Sequence, residues 1–193
     1  MQKIPWLAGS AWLALAVPAL AGGEDPAAWI AESRAAAQGL GGALMGELTQ
    51  ALSRSPVEAI VVCSERAPAI AAEQAAHTGA TVGRTAVRLR NPANAPAAWQ
   101  RTVLEQFERE IAAGADPAAL EYAQVVDAGG VVERRWMKPI MTAPLCLTCH
   151  GASLAPEVAA AILARYPADR ATGFAAGDLR GAFYVIWREA RRE

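Results

Sequence analysis

Apolar positions recur at two different spacings along this chain, and each spacing predicts its own kind of element. From Asp25 to about Arg54 the spacing is helical, with Leu40, Leu44, Met45, Leu48 and Leu52 returning every three or four residues. Asp25-Pro26 supplies a cap and a first helical position. Glycines 39, 41, 42 and 46 lie inside this stretch, each costing roughly 1 kcal/mol against alanine. Gly39, Gly42 and Gly46 share a face, which predicts a close approach to that backbone. Ser55-Pro56-Val57-Glu58 reads as a capping box opening a second helix, with Ile60, Cys63, Ala67 and Ile70 on one apolar stripe. Pro68 lacks a backbone donor and crowds the carbonyl four residues back, predicting a break or kink just after Cys63. Thr78-Gly79 closes the helical region.

Alternation then takes over. Thr81 to Leu89 predicts a strand and Arg90-Asn91-Pro92-Ala93-Asn94 a turn. Arg84, Arg88 and Arg90 alternate, which would put three guanidinium groups on one face of an extended segment. Pro96 to Ala113 returns to helical spacing, with Trp99, Val103, Leu104, Phe107 and Ile111 on the buried side and Gly114 as its stop. Tyr122–Val126 and Val131–Ile140 flank Asp127-Ala128-Gly129-Gly130 as a hairpin. Val132, Arg134, Trp136, Lys138 and Ile140 share one side of the second strand, and Pro139 suits an edge or a terminus. Pro156 to Tyr166 predicts a short helix and Ala182–Trp187 a final strand. The whole predicts an α+β domain, an antiparallel sheet with helices packed over one face.

Between the hairpin and the short helix lies Pro144-Leu145-Cys146-Leu147-Thr148-Cys149-His150-Gly151. Two cysteines two residues apart, followed at once by histidine, form the attachment signature of c-type haem. Each thiol adds across one haem vinyl group, and the adjacent imidazole is held where it can ligate the iron axially. With 3 Cys and 2 His in 193 residues, chance supplies this pattern in about one such chain in two thousand. A thioredoxin-like redox pair needs no trailing histidine and sits in a βαβ pattern that is absent here. A zinc site would need further ligands, for which only Cys63 and His77 remain among Cys and His.

The start of the chain bears on that chemistry. Met1-Gln2-Lys3 is a basic head, Ile4 to Leu20 an apolar run, and Ala19-Leu20-Ala21 a small-residue cleavage site. Residues 1–21 are therefore expected to be a cleaved secretory signal and residues 22–193 a single domain exported to the periplasm. A retained anchor is the rival, disfavoured because the run is short and holds Pro5 and Pro18. The mature chain would carry 17 basic and 19 acidic residues, a net charge of −2, with nothing to suggest a nucleic-acid or anionic-membrane surface. No second apolar span follows, so a soluble product is expected, and the chain leaves no room for a fused output module. Once Cys146 and Cys149 are spent, Cys63 is an orphan thiol: either a small buried apolar residue or a cofactor ligand. The glycine face admits a similar pair of readings, a neighbouring helix or the haem plane. The arginines read as solvated edge charge or as partners of haem propionates.

Several stretches taken together resemble a family of exported c-type haem domains with a PAS-like α+β fold, long described as a domain of unknown function. They are Ala59-Ile60-Val61-Val62-Cys63, Val82-Gly83-Arg84-Thr85, Arg90-Asn91-Pro92-Ala93-Asn94, Lys138-Pro139-Ile140, the haem motif, and Tyr166-Pro167-Ala168-Asp169 running into Gly177-Asp178-Leu179-Arg180-Gly181-Ala182. The resemblance implies one covalently attached haem c, ligated by His150 on one side and Cys63 on the other. Met45, Met137, Met141 and His77 compete with Cys63 for the second position. A periplasmic redox or gas sensor is the first functional expectation, with an unidentified signalling or redox partner. A small electron-transfer cytochrome is the alternative. A peroxidase-like enzyme comes third, because no distal acid–base pair is evident.

Overall fold

The computed structural model describes residues 26–190. The expected signal segment 1–21 and the Asp25 cap lie outside the described residues. Helix α1 (Pro26–Leu52) is followed by α2 (Pro56–Val61), a π-helical turn (Val62–Arg66) and α3 (Ala67–Thr78). Strand β1 (Thr81–Thr85) leads through a 3₁₀ turn at Pro92–Asn94 to α4 (Ala98–Ala112). Then come β2 (Tyr122–Asp127), β3 (Val131–Met141), a 3₁₀ turn (Pro144–Cys146), α5 (Leu147–His150), α6 (Pro156–Arg165) and β4 (Leu179–Ala190). The sheet is antiparallel throughout, in the order β1-β4-β3-β2. It is an α+β domain of PAS-like arrangement. Among the described residues no helix is long and apolar enough to cross a membrane.

Helices cover both faces of the sheet rather than one. Val82, Trp136 and Val185 face α1, α2 and α3, packing with Trp29, Leu40, Leu44, Ala59 and Ile70. Met137 and Ala182, on the opposite face by alternation, pack against Val103, Leu104 and Phe107 of α4. The two central strands carry buried apolar residues on both faces, Trp136 and Val185 on one and Met137 and Ala182 on the other, which a single helical layer does not cover. The fully buried Trp136 needs a partner for its indole N–H, and Glu121 accepts it while also binding Arg34 of α1 at 2.8 Å. Trp187 likewise donates from Nε1 to Ser33 Oγ at 2.9 Å, which fastens β4 to α1.

Local sequence accounts for most element ends. Ser55 Oγ accepts the Glu58 N–H at 3.1 Å, half of the expected capping box, while the Glu58 carboxylate turns to Arg54. Gly79 takes φ 76° and returns its N–H to Ala75 O at 2.9 Å, closing α3 as expected. Pro139 is tolerated in the inner strand β3 because β2 pairs only as far as Met137. On that side Pro139 lies beyond the ladder, so its missing N–H deprives no neighbour. One expectation fails: strand β1 stops at Thr85 instead of running to Leu89. Of the break or kink expected just after Cys63, the break does not occur: the helix widens there, Ala67 N–H bonding five residues back to Val62 O, and α3 continues with Pro68 in its first turn. A π turn shifts the hydrogen-bond partners by one residue, so a proline just beyond it is absorbed without ending the helix.

Phe107→Ala is expected to cost about 3–5 kcal/mol in urea unfolding by opening a cavity under α4, whereas Leu163→Ala, at a position 64% exposed, should change stability by no more than about 0.5 kcal/mol. Glu133 gives a pH prediction. Burial pushes its carboxyl up, but hydrogen bonds from Arg135 and Arg188, with their charges, outweigh this and hold it below its ordinary 4.5. As pH falls the unfolded chain therefore takes up this proton first, and the stabilisation, present above about pH 4.5, is lost through the lower folded value. Glu133→Gln should flatten that acid limb in a series of urea midpoints against pH.

Candidate functional site

The segment carrying Cys146, Cys149 and His150 is a compact double turn rather than an open loop. Pro144 opens the 3₁₀ turn, α5 adds a single helical turn, and Gly151 ends it with its N–H on Leu147 O at 2.9 Å. A Cβ at Gly151 would stand 2.6 Å from that same oxygen, so only glycine fits. The segment is laced to residues 169–174. Gly173 N–H reaches Gly151 O and Phe174 N–H reaches His150 O, each at 2.9 Å. Arg90, 8% exposed, binds Asp169 through Nε at 3.1 Å, and its other arm donates to Cys149 O at 2.6 Å and Ala171 O at 3.2 Å.

That lacing sets the state of the imidazole. His150 Nδ1 lies 2.6 Å from Ala171 O, a carbonyl that can only accept, so Nδ1 carries the proton and Nε2 keeps its lone pair. Burial first, then the Arg180 and Arg90 charges, pull the imidazole down from 6.5 to about 3. The ring is therefore neutral and ligand-competent at any ordinary pH. Phe174 meets it edge-on, with ring centres 6.2 Å apart.

Opposite this segment a cavity of about 210 Å³ opens on the face of the sheet that α1 and α2 cover. Leu44, Leu48, Ala59, Ile60, Ile140 and Phe183 give it an apolar wall. Cys63, Cys146, Cys149 and His150 all border it, as do Arg84, Arg90 and Arg180. Cys63 reaches it from the π turn. Burial pushes its thiol above the ordinary 9.0, and the positive charges of Arg84, Arg90 and Arg180 oppose that push. Burial also raises the Cys149 thiol. Among the described residues no group of three or more His, Cys, Asp or Glu side chains is placed to hold a bare metal ion.

Of the residues expected here, Cys63, Cys146, Cys149 and His150 come together, but the three arginines do not share a face. Arg84 lies on β1 and turns into the cavity. Arg88 falls beyond the strand, exposed, with its guanidinium 3.9 Å over the Phe174 ring and bonded to the carbonyls of Arg170 and Thr172. Arg90 borders the cavity but is committed to Asp169. Of the rival ligands, Met45 borders the cavity and is 45% exposed, whereas Met137 is buried under α4 and His77 lies exposed on α3. The glycine face expected on α1 also dissolves: among the described residues Gly42 and Gly46 meet nothing within 4 Å, and Gly39 meets only the Gln74 side chain. Gly41 is the one on the cavity, where a Cβ would stand 3.0 Å from Phe183.

Arg180 was missed. In the alternation of β4 it belongs with Ala182 and Tyr184 on the α4 side. A bulge changes that: Ile140 pairs Gly181 while Met141 pairs Leu179, leaving Arg180 as the extra residue. Leu179 accordingly packs on the α4 side and Arg180 borders the cavity.

With this geometry in hand, comparison with known proteins is informative. No curated protein sequence matches the chain significantly. Among solved structures, the crystal structure of the cyanobacterial heme-protein Tll0287 is similar, with a TM-score of 0.53 and 30% identity over 66% of this chain and 73% of that one. The sequence profile of the Tll0287-like family matches residues 26–187, and the chain belongs to that family.

Proposed function

We propose that this chain is a c-type haem protein in which Cys146 and Cys149 attach one haem covalently and His150 and Cys63 ligate its iron. The observation that carries this is the His150 tautomer, fixed by Ala171 O at 2.6 Å with Nε2 left free beside two thiols. The surroundings fit the group: an apolar wall for a flat macrocycle, two thiols at attachment spacing, and cationic side chains on the border to answer a dianion. Similarity to a cyanobacterial heme-protein supports the same reading. Haem, if bound, would supply a one-electron iron couple and a metal to which a small gas could bind.

The chain's own residues set the behaviour of that site. His150 is held in one tautomer and cannot swing away without losing the Ala171 bond. Cys63 is the movable half, since it stands in a π turn, a feature found mostly at functional sites. Its thiol is pulled two ways: burial favours keeping the proton, and three guanidinium charges favour releasing it. Burial is the stronger pull, so the Cys63 thiol keeps its proton unless a further positive charge faces it. That dependence on the facing charge favours a redox or gas sensor over a passive carrier. The carrier reading draws on a different observation: Met45 and Leu145 border the cavity yet are 45% and 43% exposed, offering an apolar rim for electron exchange. Residues 1–21 would direct export to the periplasm, where thioether attachment is completed, and residues 22–193 would form the working domain.

Intact mass of the chain co-produced with the c-type maturation machinery should show one added haem, and Cys146→Ser with Cys149→Ser should abolish it. Cys63→Ala should keep the covalent haem but change the ferric absorption spectrum and raise the reduction potential, because a thiolate ligand stabilises ferric iron. An unchanged spectrum and potential would assign the second ligand elsewhere, with Met45→Ala the next variant to measure. Carbon monoxide binding by the reduced protein distinguishes the sensor from a ligand-inert carrier.

A further inference from the structure

Resting on the haem reading, we propose that Arg180 and Arg84 together seat the two carboxylate arms of the bound haem, with Arg180 a binding residue that neither Arg88 nor Arg90 replaces. Three observations converge on it. First, the β4 bulge turns Arg180 from the α4 side of the sheet to the cavity, against its place in the alternation. Bulges commonly re-aim one side chain at a site.

Second, the guanidinium is under-used as a hydrogen-bond donor, although its face lies 5.2 Å from the centre of the Phe174 ring. Its Nε is buried with no hydrogen-bond partner, and a single bond is made from its NH1 to Arg88 O at 3.2 Å. An unpaired buried donor of a charged group costs more than an ordinary hydrogen bond returns, so the arrangement calls for an acceptor that the described residues do not provide.

Third, charge around the cavity does not balance. Arg84, Arg90 and Arg180 border it, and Asp169, bonded to Arg90, is the carboxylate that answers them. Arg84 and Arg180 are left as two positive charges in a low-dielectric setting. Burial and mutual repulsion pull Arg180 down to about 10, and burial also lowers Arg84. A ligand bearing two carboxylates neutralises the pair, and guanidinium forks match carboxylates in both geometry and charge. Arg88 and Arg180 both lie over the Phe174 ring, at 3.9 and 5.2 Å, but Arg88 is exposed and spends its donors on the carbonyls of Arg170 and Thr172.

The test uses the full chain matured with haem, as wild type, Arg180→Gln, Arg180→Lys and Arg88→Gln. Covalent haem is read by intact mass, the midpoint potential by redox titration, and the carboxylate arms by the propionate bending band in resonance Raman spectra. Loss of the Arg180 charge should lower the potential, since a nearby cation disfavours the ferric state. It should also shift the bending band. Arg180→Lys should recover the potential in part but leave the band displaced, and Arg88→Gln should change neither. If Arg180→Gln fails to accumulate, a displaced band in Arg180→Lys supports the proposal and an unchanged one overturns it. Potential and band equal to wild type in both Arg180 variants, with haem present, would overturn it while leaving the haem reading intact. A wild-type chain with no added haem mass would overturn both.

Discussion

The site depends on one local constraint: the hydrogen bonds that tie the turn bearing Cys146, Cys149 and His150 to residues 169–174. A motif of this length has almost no core of its own. Leu145 is exposed and Leu147 only half buried, so hydrophobic burial does little to hold it. Arg90 does that work from the far side of the chain, joining Asp169, Ala171 O and Cys149 O. The Arg90–Asp169 pair is buried on both sides, and removing one partner of such a pair costs about 3–5 kcal/mol because the other charge is stranded. Two backbone bonds from Gly173 and Phe174 complete the lacing, and the imidazole orientation follows from it.

The opposite wall of the cavity is built differently. Cys63 is carried by a π turn between two α-helices, a rare single-turn widening found mostly at functional sites. The cavity is thus bordered by an imidazole pinned through Ala171 O on one side and by a thiol carried on a π turn on the other.

How far the site was legible in the sequence differs from residue to residue. Periodicity located α1, α4, β3 and the core of β4, because each buries a face against a large neighbour, whereas β2, which has no buried residue, was located by the turn residues Asp127 to Gly130. The cysteine spacing located the motif outright. The orphan Cys63 could be singled out by elimination, but its delivery by a π turn could not, because Pro68 is equally compatible with a helix that ends and one that widens. Arg88 was misplaced because β1 ends four residues earlier than β propensity suggests: Ala86 to Leu89 turn away toward the 169–174 loop, and Arg170 N–H bonds Leu89 O at 2.7 Å. That partner is more than eighty residues away, a tertiary choice that no local pattern records.

Arg180 is the sharpest case, since the alternation rule itself gives the wrong answer there. Along β4 every other residue faces the cavity side, and the rule assigns that side to Gly181, Phe183, Val185 and Trp187. Gly181 holds this place for a steric reason: a Cβ there would stand 2.4 Å from Thr85 O, so β1 and β4 approach too closely for a side chain. A strand that must be bare at the position nearest the cavity cannot present a functional group there. Inserting one residue solves the conflict, because the bulge lets the neighbour of the glycine turn to the same side. The glycine and the bulged arginine are therefore two halves of one arrangement, the first clearing space at the sheet end and the second placing a charge in it.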